Sequence, residues 1–447
     1  MRILQALCAG LLACPAPLSA ESAYEQLLKA APRETSAALV PSVAGAPVAS
    51  ATGVPAAAPR RVDGIGLSHS GDPFNIPDFS LGEVAELLRG DGGTHYRPHL
   101  PLNEAVPEIS SGTLRRLSLA ASDPALLDVM IGELARDGHW ERMDRLVDTF
   151  TGAGIKLILV VGAGYRKEAP LYARPDGTKD RVSPDRIGRD PYIAMARWIA
   201  GAGARRYGDR VEFWQVENEI NIARMVSRIG WRVDEASWGD RDFLRKLLAG
   251  LCQTVHGEGL RAERALKTTH NFATDAVSWQ GWLEPGARVN VAQDVTTFGS
   301  DGLDIVGIDI YANYFNGFPL RLGRVDEVIG QAVTAAGQRP VWILETGFPR
   351  APAVRGFTAG RQAEYFRHTF DTAYSQGVSL VLGFGWFWDP KGWFTDAPKP
   401  PAWWSPQACE GHWSPIRVTL RPDGSKTVSY GPAWDALKDA SRRWVVP

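Results

Sequence analysis

Short apolar segments recur along the chain, and helical patterns separate most of them. The clearest is 155–164, IKLILVVGAG, a nearly unbroken β-branched and leucine run that is typical of a strand buried on both faces. The other segments are at 62–68, 94–100, 211–220, 265–272, 303–314, 339–349 and 378–390. Eight strands alternating with helices predict an α/β fold, a (β/α)8 TIM barrel, with its active site where the strands end.

Helical patterns fill most of the connections in this scheme. They lie at 81–90, 140–154, 191–208, 240–259, 324–337 and 358–377. A doubly wound sheet is the alternative, but Gly64 and Gly66 lie within the first strand and lack the third glycine of a phosphate-binding turn. Residues 416–439 predict a hairpin around Asp423-Gly424 and a final helix that completes the barrel.

The first 20 residues have the pattern of a secretory signal peptide. Arg2 is the basic region, Ile3 to Ala13 are apolar, and Leu18-Ser19-Ala20 is a cleavage site of small residues. A weak lipobox ending at Cys14 makes a lipid anchor the alternative. We therefore expect an exported protein, periplasmic or extracellular.

Three regions follow from this pattern. Residues 1–20 are the signal peptide, 21–60 are an Ala- and Pro-rich linker that we expect to be disordered, and 61–447 are one catalytic barrel domain. Cleavage after Ala20 leaves Cys252 and Cys409. An exported protein can pair two such cysteines, and two independent buried thiols are the alternative.

The composition indicates which classes of binding partner to expect. The net charge of −1 provides no basic field for nucleic acid or for an anionic membrane. Many of the 16 tryptophans lie in Gly- and Pro-rich loops, where they can stack on flat sugar faces, which favours a polysaccharide or oligosaccharide partner. The sequence has no HExxH, Cys-x-x-Cys or G-x-S-x-G motif, so we predict no metal, no cofactor and no serine nucleophile.

Two glutamates end strands of the predicted barrel. Glu219 ends the fourth strand in WQVENEIN, and Glu345 ends the seventh in WILETGFP. A barrel brings these distant residues to one central cleft. Two carboxyls across a cleft at ~5 Å hydrolyse glycosides with retention of configuration, and a wider gap gives inversion. Glu217 is the local rival, because it shares strand parity with Glu219.

The pattern resembles the clan A glycoside hydrolases, retaining enzymes on (β/α)8 barrels. The resemblance rests on Asn218-Glu219 on the fourth strand, Glu345 on the seventh, LDIVGIDIYANY on the sixth, VLGFGWFWD on the eighth and DGSKTVSYGPAWDAL near the end, and no single family within the clan fits. It implies that Glu219 is the acid/base and Glu345 the nucleophile.

The resemblance also implies roles for neighbouring residues. Asn218 would bind the sugar 2-OH, Arg97 would hold Glu345 ionised, and Tyr311 or Tyr314 would donate to the same carboxylate. His270 and Asn271 would line the cleft, although a structural histidine is the alternative. Trp386 or Trp388 would form the floor under the sugar, and strand alternation does not choose between them.

We therefore expect an exported retaining glycosidase, of the kind that hydrolyses O-glycosyl bonds, acting on a polysaccharide or oligosaccharide. Two other functions stay open at this point. One is a catalytically weak glycan-binding barrel in exopolysaccharide assembly. The other is a transglycosidase that remodels a wall or matrix glycan.

Overall fold

A computed structural model describes most of the chain from residue 62 onward. The described residues are 62–69, 72–76, 79–98, 100–162, 164–165, 168–174, 176–228, 230, 232–234, 236–274, 289–299, 302–311, 322–351, 353, 356–386, 412–421, 423 and 425–445. The predicted signal peptide, the predicted linker, Cys14 and Cys409 lie outside them. Cys252 is buried.

The described strands follow the predicted alternation. They are β1 (Gly64–Ser68), β2 (His95–Arg97), β3 (Glu108–Ile109), β4 (Lys156–Val161), β5 (Leu171–Ala173), β6 (Lys179–Arg181), β7 (Phe213–Val216), β8 (Lys267–Ala273), β9 (Ile305–Ile310), β10 (Val341–Thr346), β11 (Val378–Phe384), β12 (Ile416–Leu420) and β13 (Lys426–Tyr430). A closed barrel forms in the order β1, β11, β10, β9, β8, β7, β4, β2, with every neighbouring pair parallel. The (β/α)8 fold is therefore confirmed, with a barrel strand in each of the eight predicted segments.

Apolar side chains fill the barrel interior. The rings of Phe213 and Trp342 lie 4.8 Å apart, and those of His95 and Trp342 lie 5.9 Å apart, although their strands are not neighbours in the barrel. Such contacts are possible only across the interior. Leu344, Leu380 and Leu382 belong to the same buried cluster, so the lower barrel is a packed core and leaves the upper rim for chemistry.

Helices surround the barrel. They are α1 (Leu81–Gly90), α2 (Ser111–Ala120), α3 (Pro124–Asp137), α4 (Glu141–Gly152), α5 (Pro184–Ile187), α6 (Arg189–Tyr207), α7 (Ala223–Arg228), α8 (Arg241–Arg261), α9 (Val291–Gly299), α10 (Leu322–Ala336), α11 (Ala359–Ser375) and α12 (Pro432–Trp444). Side chains cap several of them: Ser80 and Glu83 form a reciprocal capping box on α1, and Asp240 accepts from the first turn of α8. All six predicted helices are confirmed.

Five of the described helices lie in segments to which the apolar pattern assigns no element. These are α2, α3, α5, α7 and α9. In α2, only Leu117 and Ala120 are buried, so its apolar stripe is too narrow to stand out in the sequence. A weak stripe therefore explains why this segment does not read as a helix.

Two small sheets stand beside the barrel. β3, β5 and β6 form a three-stranded sheet; β3 lies between the second and third barrel strands, and β5 and β6 lie in the long segment between the third and fourth. β12 and β13 pair antiparallel, which confirms the predicted hairpin. The predicted final helix is α12, and it packs against α11 and β1.

Candidate active site

Arg97 connects Glu345 with the polar residues at the end of β7. It is the last residue of β2, and its side chain is almost fully buried. Its Nη1 donates to Glu345 Oε1 at 2.6 Å and to Ser68 Oγ at 2.8 Å. Its Nε donates to Gln215 Oε1 at 2.6 Å, and its Nη2 donates to Asn218 Oδ1 at 2.7 Å. One guanidinium thus fixes four side chains from three other barrel strands or their ends, as expected of a planar fork of donors.

A break in strand register helps to place Glu345 at the rim. Trp342 and Leu344 both belong to the interior cluster, so simple alternation would turn Glu345 away from the interior. The pairing of β10 with β9 shifts between Ile343 and Glu345, and its pairing with β11 shifts between Ile343 and Thr346. Bulges of this kind re-aim side chains next to active sites. Glu345 consequently reaches Arg97.

Tyr311 completes the surroundings of Glu345. It follows β9 directly, and its hydroxyl donates to Glu345 Oε2. Burial and then the charge of Glu345 raise the pKa of Tyr311 well above its ordinary value, which keeps the phenol protonated as a donor. Tyr314, the other tyrosine considered from the sequence, lies outside the described residues.

Glu219 lies in a tight turn after the fourth barrel strand. β7 ends at Val216, and Glu217 and Glu219 then adopt left-handed φ angles of +57° and +44°. The Glu219 main-chain N–H lies 3.2 Å from Asn271 O and 3.3 Å from its Oδ1. Strand parity therefore stops at Val216, and it cannot relate Glu217 to Glu219.

Side-chain amides next to this turn form a chain of hydrogen bonds. Gln215 Nε2 donates to Asn271 Oδ1 at 2.6 Å, and Asn271 Nδ2 donates to Asn218 Oδ1 at 2.7 Å and to Asp309 Oδ2 at 2.6 Å. Asn218 Nδ2 in turn donates to Tyr165 Oη at 3.1 Å. The predicted residues Asn218 and Asn271 are therefore brought together with Arg97 and the Glu219 main chain.

The charged groups of the site affect one another's pKa. Burial, followed by the negative charge of Glu345, raises the pKa of Glu219 well above its ordinary value, and Arg97 and Arg232 oppose the rise. Burial and the charges of Glu345 and Glu219 also raise the pKa of Asp309. These interactions place Glu219, Glu345 and Asp309 in one electrostatic cluster at the rim of the barrel.

The ring nitrogens of His270 form hydrogen bonds with main-chain atoms. Its Nδ1 lies 2.7 Å from Val216 O, and its Nε2 lies 3.3 Å from Ile220 N. An Nδ1–H tautomer satisfies both contacts, since it donates to the carbonyl and accepts from the amide. Burial lowers the pKa of His270 to about 3, so it is neutral and braces the two ends of the Glu219 turn.

The structure does not place Trp386 as an exposed floor under a sugar. Trp386 is fully buried, with its ring 5.0 Å from that of Phe366 and 5.3 Å from that of Trp434, so neither face is open to a ligand. β11 ends at Phe384 and Gly385 has a φ of +72°, so alternation does not extend to Trp388. Trp388 lies outside the described residues.

Another aromatic group adjoins the Glu345 side of the site. The ring of Trp413 lies 5.4 Å from Tyr311 and 5.8 Å from Phe384, both edge-on. A Cβ at Gly347 would lie 2.1 Å from this ring, so the glycine two residues after Glu345 makes room for it.

Sequence reasoning did not single out Gln215, Ser68, Asp309 or Tyr165. The first three are polar residues within strands that are otherwise apolar, and each is buried. A buried polar residue near a strand end is a detectable signal, because its desolvation must be offset by hydrogen bonds. Tyr165 carries no such signal, since it lies in a loop.

No metal or membrane element accompanies the site within the described part of the chain. It holds no group of three or more His, Cys, Asp or Glu side chains placed to bind a metal ion. None of the described helices is both long and apolar enough to cross a bilayer.

Comparison with known proteins identifies solved structures that share this fold. No protein family model matches the chain, and no curated protein matches its sequence. An exo-β-1,4-mannosidase from Opitutaceae bacterium strain TAV5 superposes with a TM-score of 0.52 at 13% identity, covering 87% of this chain and 60% of the mannosidase chain. A hyperthermophilic β-glucosidase from Pyrococcus furiosus superposes with a TM-score of 0.50 at 12% identity, covering 86% and 96%. The chain shares the (β/α)8 barrel of these glycosidases, which confirms the resemblance to clan A glycoside hydrolases at the level of the fold.

Proposed function

We propose that the protein is a retaining glycoside hydrolase that cleaves O-glycosidic bonds of a polysaccharide or oligosaccharide. Glu219 is its acid/base and Glu345 its nucleophile. The proposal rests on the barrel fold, on the position of both residues at its rim and on the contacts around them.

One observation carries the proposal: the two carboxyls, Glu219 and Glu345, have different surroundings. Glu345 receives charge-assisted hydrogen bonds from Arg97 and Tyr311, which stabilise its negative charge. Burial and the charge of Glu345 favour the protonated form of Glu219. Surroundings that favour the ionised form of one carboxyl and the protonated form of the other are the arrangement that nucleophile and acid/base roles require.

The chemistry follows from these protonation states. Glu345 attacks the anomeric carbon while Glu219 donates its proton to the glycosidic oxygen, so the leaving sugar departs as an alcohol. Glu219 is then ionised and takes a proton from the water that attacks the glycosyl ester. The ester bond to Glu345 breaks, and the sugar leaves with its original anomeric configuration.

Asn218 keeps one donor for the substrate. Its Oδ1 accepts from Arg97, Asn271 and, at 3.3 Å, Gln215. Its Nδ2 carries two N–H groups, one of which is directed to Tyr165. The second N–H suits the sugar 2-OH, a contact that strengthens as positive charge develops on the ring.

Kinetics on aryl glycosides test the assignment. Wild-type protein is screened against 4-nitrophenyl mono- and disaccharide glycosides and a glycan panel. Glu345→Gln should abolish turnover of every substrate that the wild type cleaves. Glu219→Ala should lose most activity and regain it with azide, an anion that attacks the glycosyl-enzyme ester without help from a base and gives a glycosyl azide.

An exposed glutamate directly before the same strand, β7, provides the control. Glu212 is exposed and precedes β7 at the opposite end from Glu219. Glu212→Gln should keep wild-type kinetics. Near-normal turnover by Glu345→Gln would refute the proposed function.

The same panel separates the two other functions considered from the sequence. A glycan-binding barrel would bind an oligosaccharide in calorimetry without releasing product. A transglycosidase would produce oligosaccharides longer than the substrate, visible by mass spectrometry. Release of shorter products alone supports hydrolysis.

A further inference from the structure

The turn that carries Glu219 is conformationally unusual. Two of its residues, Glu217 and Glu219, have left-handed φ angles, which side chains other than glycine, asparagine and aspartate rarely adopt. Glu219 also belongs to the charged cluster of the site. Such a conformation persists only where surrounding contacts fix it.

Arg232 supplies a contact of this kind from outside the barrel. Its side chain is fully buried, and its Nη2 donates to the main-chain oxygen of Asn218 at 2.8 Å. The guanidinium lies over two aromatic rings, 4.7 Å from the centroid of Tyr165 and 4.4 Å from that of Trp238. A Cβ at Gly164 would lie 1.6 Å from Arg232 Nη1, so a glycine is required for this close approach.

Glu217 is the buried counter-ion of this arginine. Its side chain is fully buried, and Oε2 lies 3.6 Å from Arg232 Nη1. Burial raises the pKa of Glu217 to about 7, and the charge of Arg232 opposes the rise. Glu168 is the other charged group that acts on Glu217, and the charge of Glu217 acts in turn on the buried phenol of Tyr192.

We propose that Arg232, paired with Glu217, is a positioning residue that holds the Asn218–Glu219 turn and orients Glu219 for proton transfer. This inference rests on the proposed function for its kinetic consequence. It assigns Glu217 to charge balance inside the protein, away from the substrate.

The experiment compares single and paired replacements. Arg232→Met leaves Glu217 buried without its partner and is expected to destabilise the fold. Glu217→Gln combined with Arg232→Met removes both charges, a change that buried ion pairs commonly tolerate. The paired variant separates the positioning role from simple charge compensation.

Leaving-group dependence is the kinetic readout. Wild type and the paired variant are compared on the 4-nitrophenyl and 2,4-dinitrophenyl glycosides of a sugar that the wild type cleaves. A misplaced acid should lower kcat/KM roughly 10²-fold on the 4-nitrophenyl glycoside and much less on the dinitrophenyl glycoside, which needs little protonation. A loss of folded protein would lower both values equally. Wild-type kcat/KM on both substrates would overturn the inference.

A second ion pair offers a matched control. Arg205 Nε and Nη2 donate to Glu258 at 2.7 Å between α6 and α8, on the outside of the barrel. Arg205→Met with Glu258→Gln should lower stability and leave the ratio between the two glycosides unchanged. A changed ratio in this control would also count against a specific role of Arg232.

A titration without substrate distinguishes this inference from the proposed function. Glu219 faces Glu345, Arg97, Arg232 and Tyr165, and the charge of Arg232 favours its ionised form. Removing that charge should therefore move the Glu219 titration to higher pH, as followed by carboxyl ¹³C NMR with Glu219→Gln for assignment. An unchanged midpoint would overturn the inference, whereas active Glu219→Gln and Glu345→Gln variants would overturn only the proposed function.

Discussion

At the scale of single residues, Glu219 and Glu345 are chemically alike but have different partners. Glu345 is bonded by Arg97 and Tyr311, and Glu219 is partly buried beside the charge of Glu345. The same two carboxyls would be interchangeable in water. The donors around Glu345, and the burial of Glu219 beside its charge, therefore make one suited to carry charge and the other suited to carry a proton.

Removing the Tyr311 hydroxyl should weaken catalysis without unfolding the protein. A hydrogen bond to a charged group contributes about 1.5–3 kcal/mol, so Tyr311→Phe should lower kcat/KM roughly 10- to 100-fold. Tyr207 makes a comparable bond to Asp144 Oδ1, at 2.8 Å, away from the rim of the barrel. Tyr207→Phe should reduce stability with kcat/KM unchanged, and equal kinetic effects of the two variants would contradict the assigned role of Tyr311.

The contribution of the buried carboxyls of the site to stability should fall as pH rises from acidic to neutral values. Burial raises the pKa of Glu219 and Asp309, and raises that of Glu217 from 4.5 to about 7. In that window these three carboxyls bind more protons in the folded protein than in the unfolded chain, so their contribution to the free energy of unfolding decreases with pH. Glu219→Gln should flatten this dependence by up to about 1.4 kcal/mol per pH unit.

Urea unfolding at a series of pH values measures this dependence. Wild type and Glu219→Gln are compared from about pH 5 to about pH 8, the range in which raised carboxyls titrate. Glu212→Gln, at an exposed position, serves as the control and should follow the wild type. Parallel curves for Glu219→Gln and wild type would show that Glu219 does not hold a proton in the folded state.

At the scale of elements, irregular points in the strands shape the site. The shifted register in β10 lets Glu345 reach the rim, and the left-handed turn after β7 carries Glu219. His270 links Val216 and Ile220 across that turn. Regular strands supply the frame, and their irregular ends aim the side chains.

Close packing between β1 and β2 supports the frame, and a glycine makes it possible. A Cβ at Gly66 would lie 1.9 Å from the main-chain oxygen of His95. Gly66→Ala should therefore cost roughly 1–3 kcal/mol or more of unfolding free energy. Gly90, at the end of α1, has no atom within 4 Å of such a Cβ, so Gly90→Ala should be neutral or stabilising. Similar unfolding curves for the two variants would contradict this packing.

The sequence predicts the regular parts of these elements and fails at the irregular ones. Buried parallel strands are dense in apolar residues, so all eight segments are detectable before the structure is known. The break in β10 is not detectable, because the pattern WILET is compatible with plain alternation. The pairing of Glu217 with Arg232 is equally hidden, since it depends on a loop fifteen residues further along the chain.

At the scale of the whole molecule, the barrel explains how distant residues meet. Arg97, Asn218 and Glu345 lie on or directly after β2, β7 and β10, and a closed barrel brings their ends to one rim. This convergence is predictable from strand order alone. The surroundings of Trp386 and His270 are harder to predict from the sequence. Their burial against helices or main chain depends on packing that no local pattern encodes.

Export is a prediction for the whole chain. If residues 1–20 are a signal peptide, the mature protein begins at Glu21 and lacks Cys8 and Cys14. Mass spectrometry of protein from periplasm and medium should find this N-terminus. Lipid-modified Cys14 in the membrane fraction would support the anchored alternative, and uncleaved protein in the cytoplasm would contradict export.

The anomeric configuration of the first product tests the central claim most directly. A substrate from the panel is hydrolysed in an NMR tube, and the anomeric proton is followed before mutarotation. Double displacement through Glu345 and Glu219 predicts that the first sugar released keeps the substrate's configuration. A first product of inverted configuration would show that Glu345 does not act as a nucleophile.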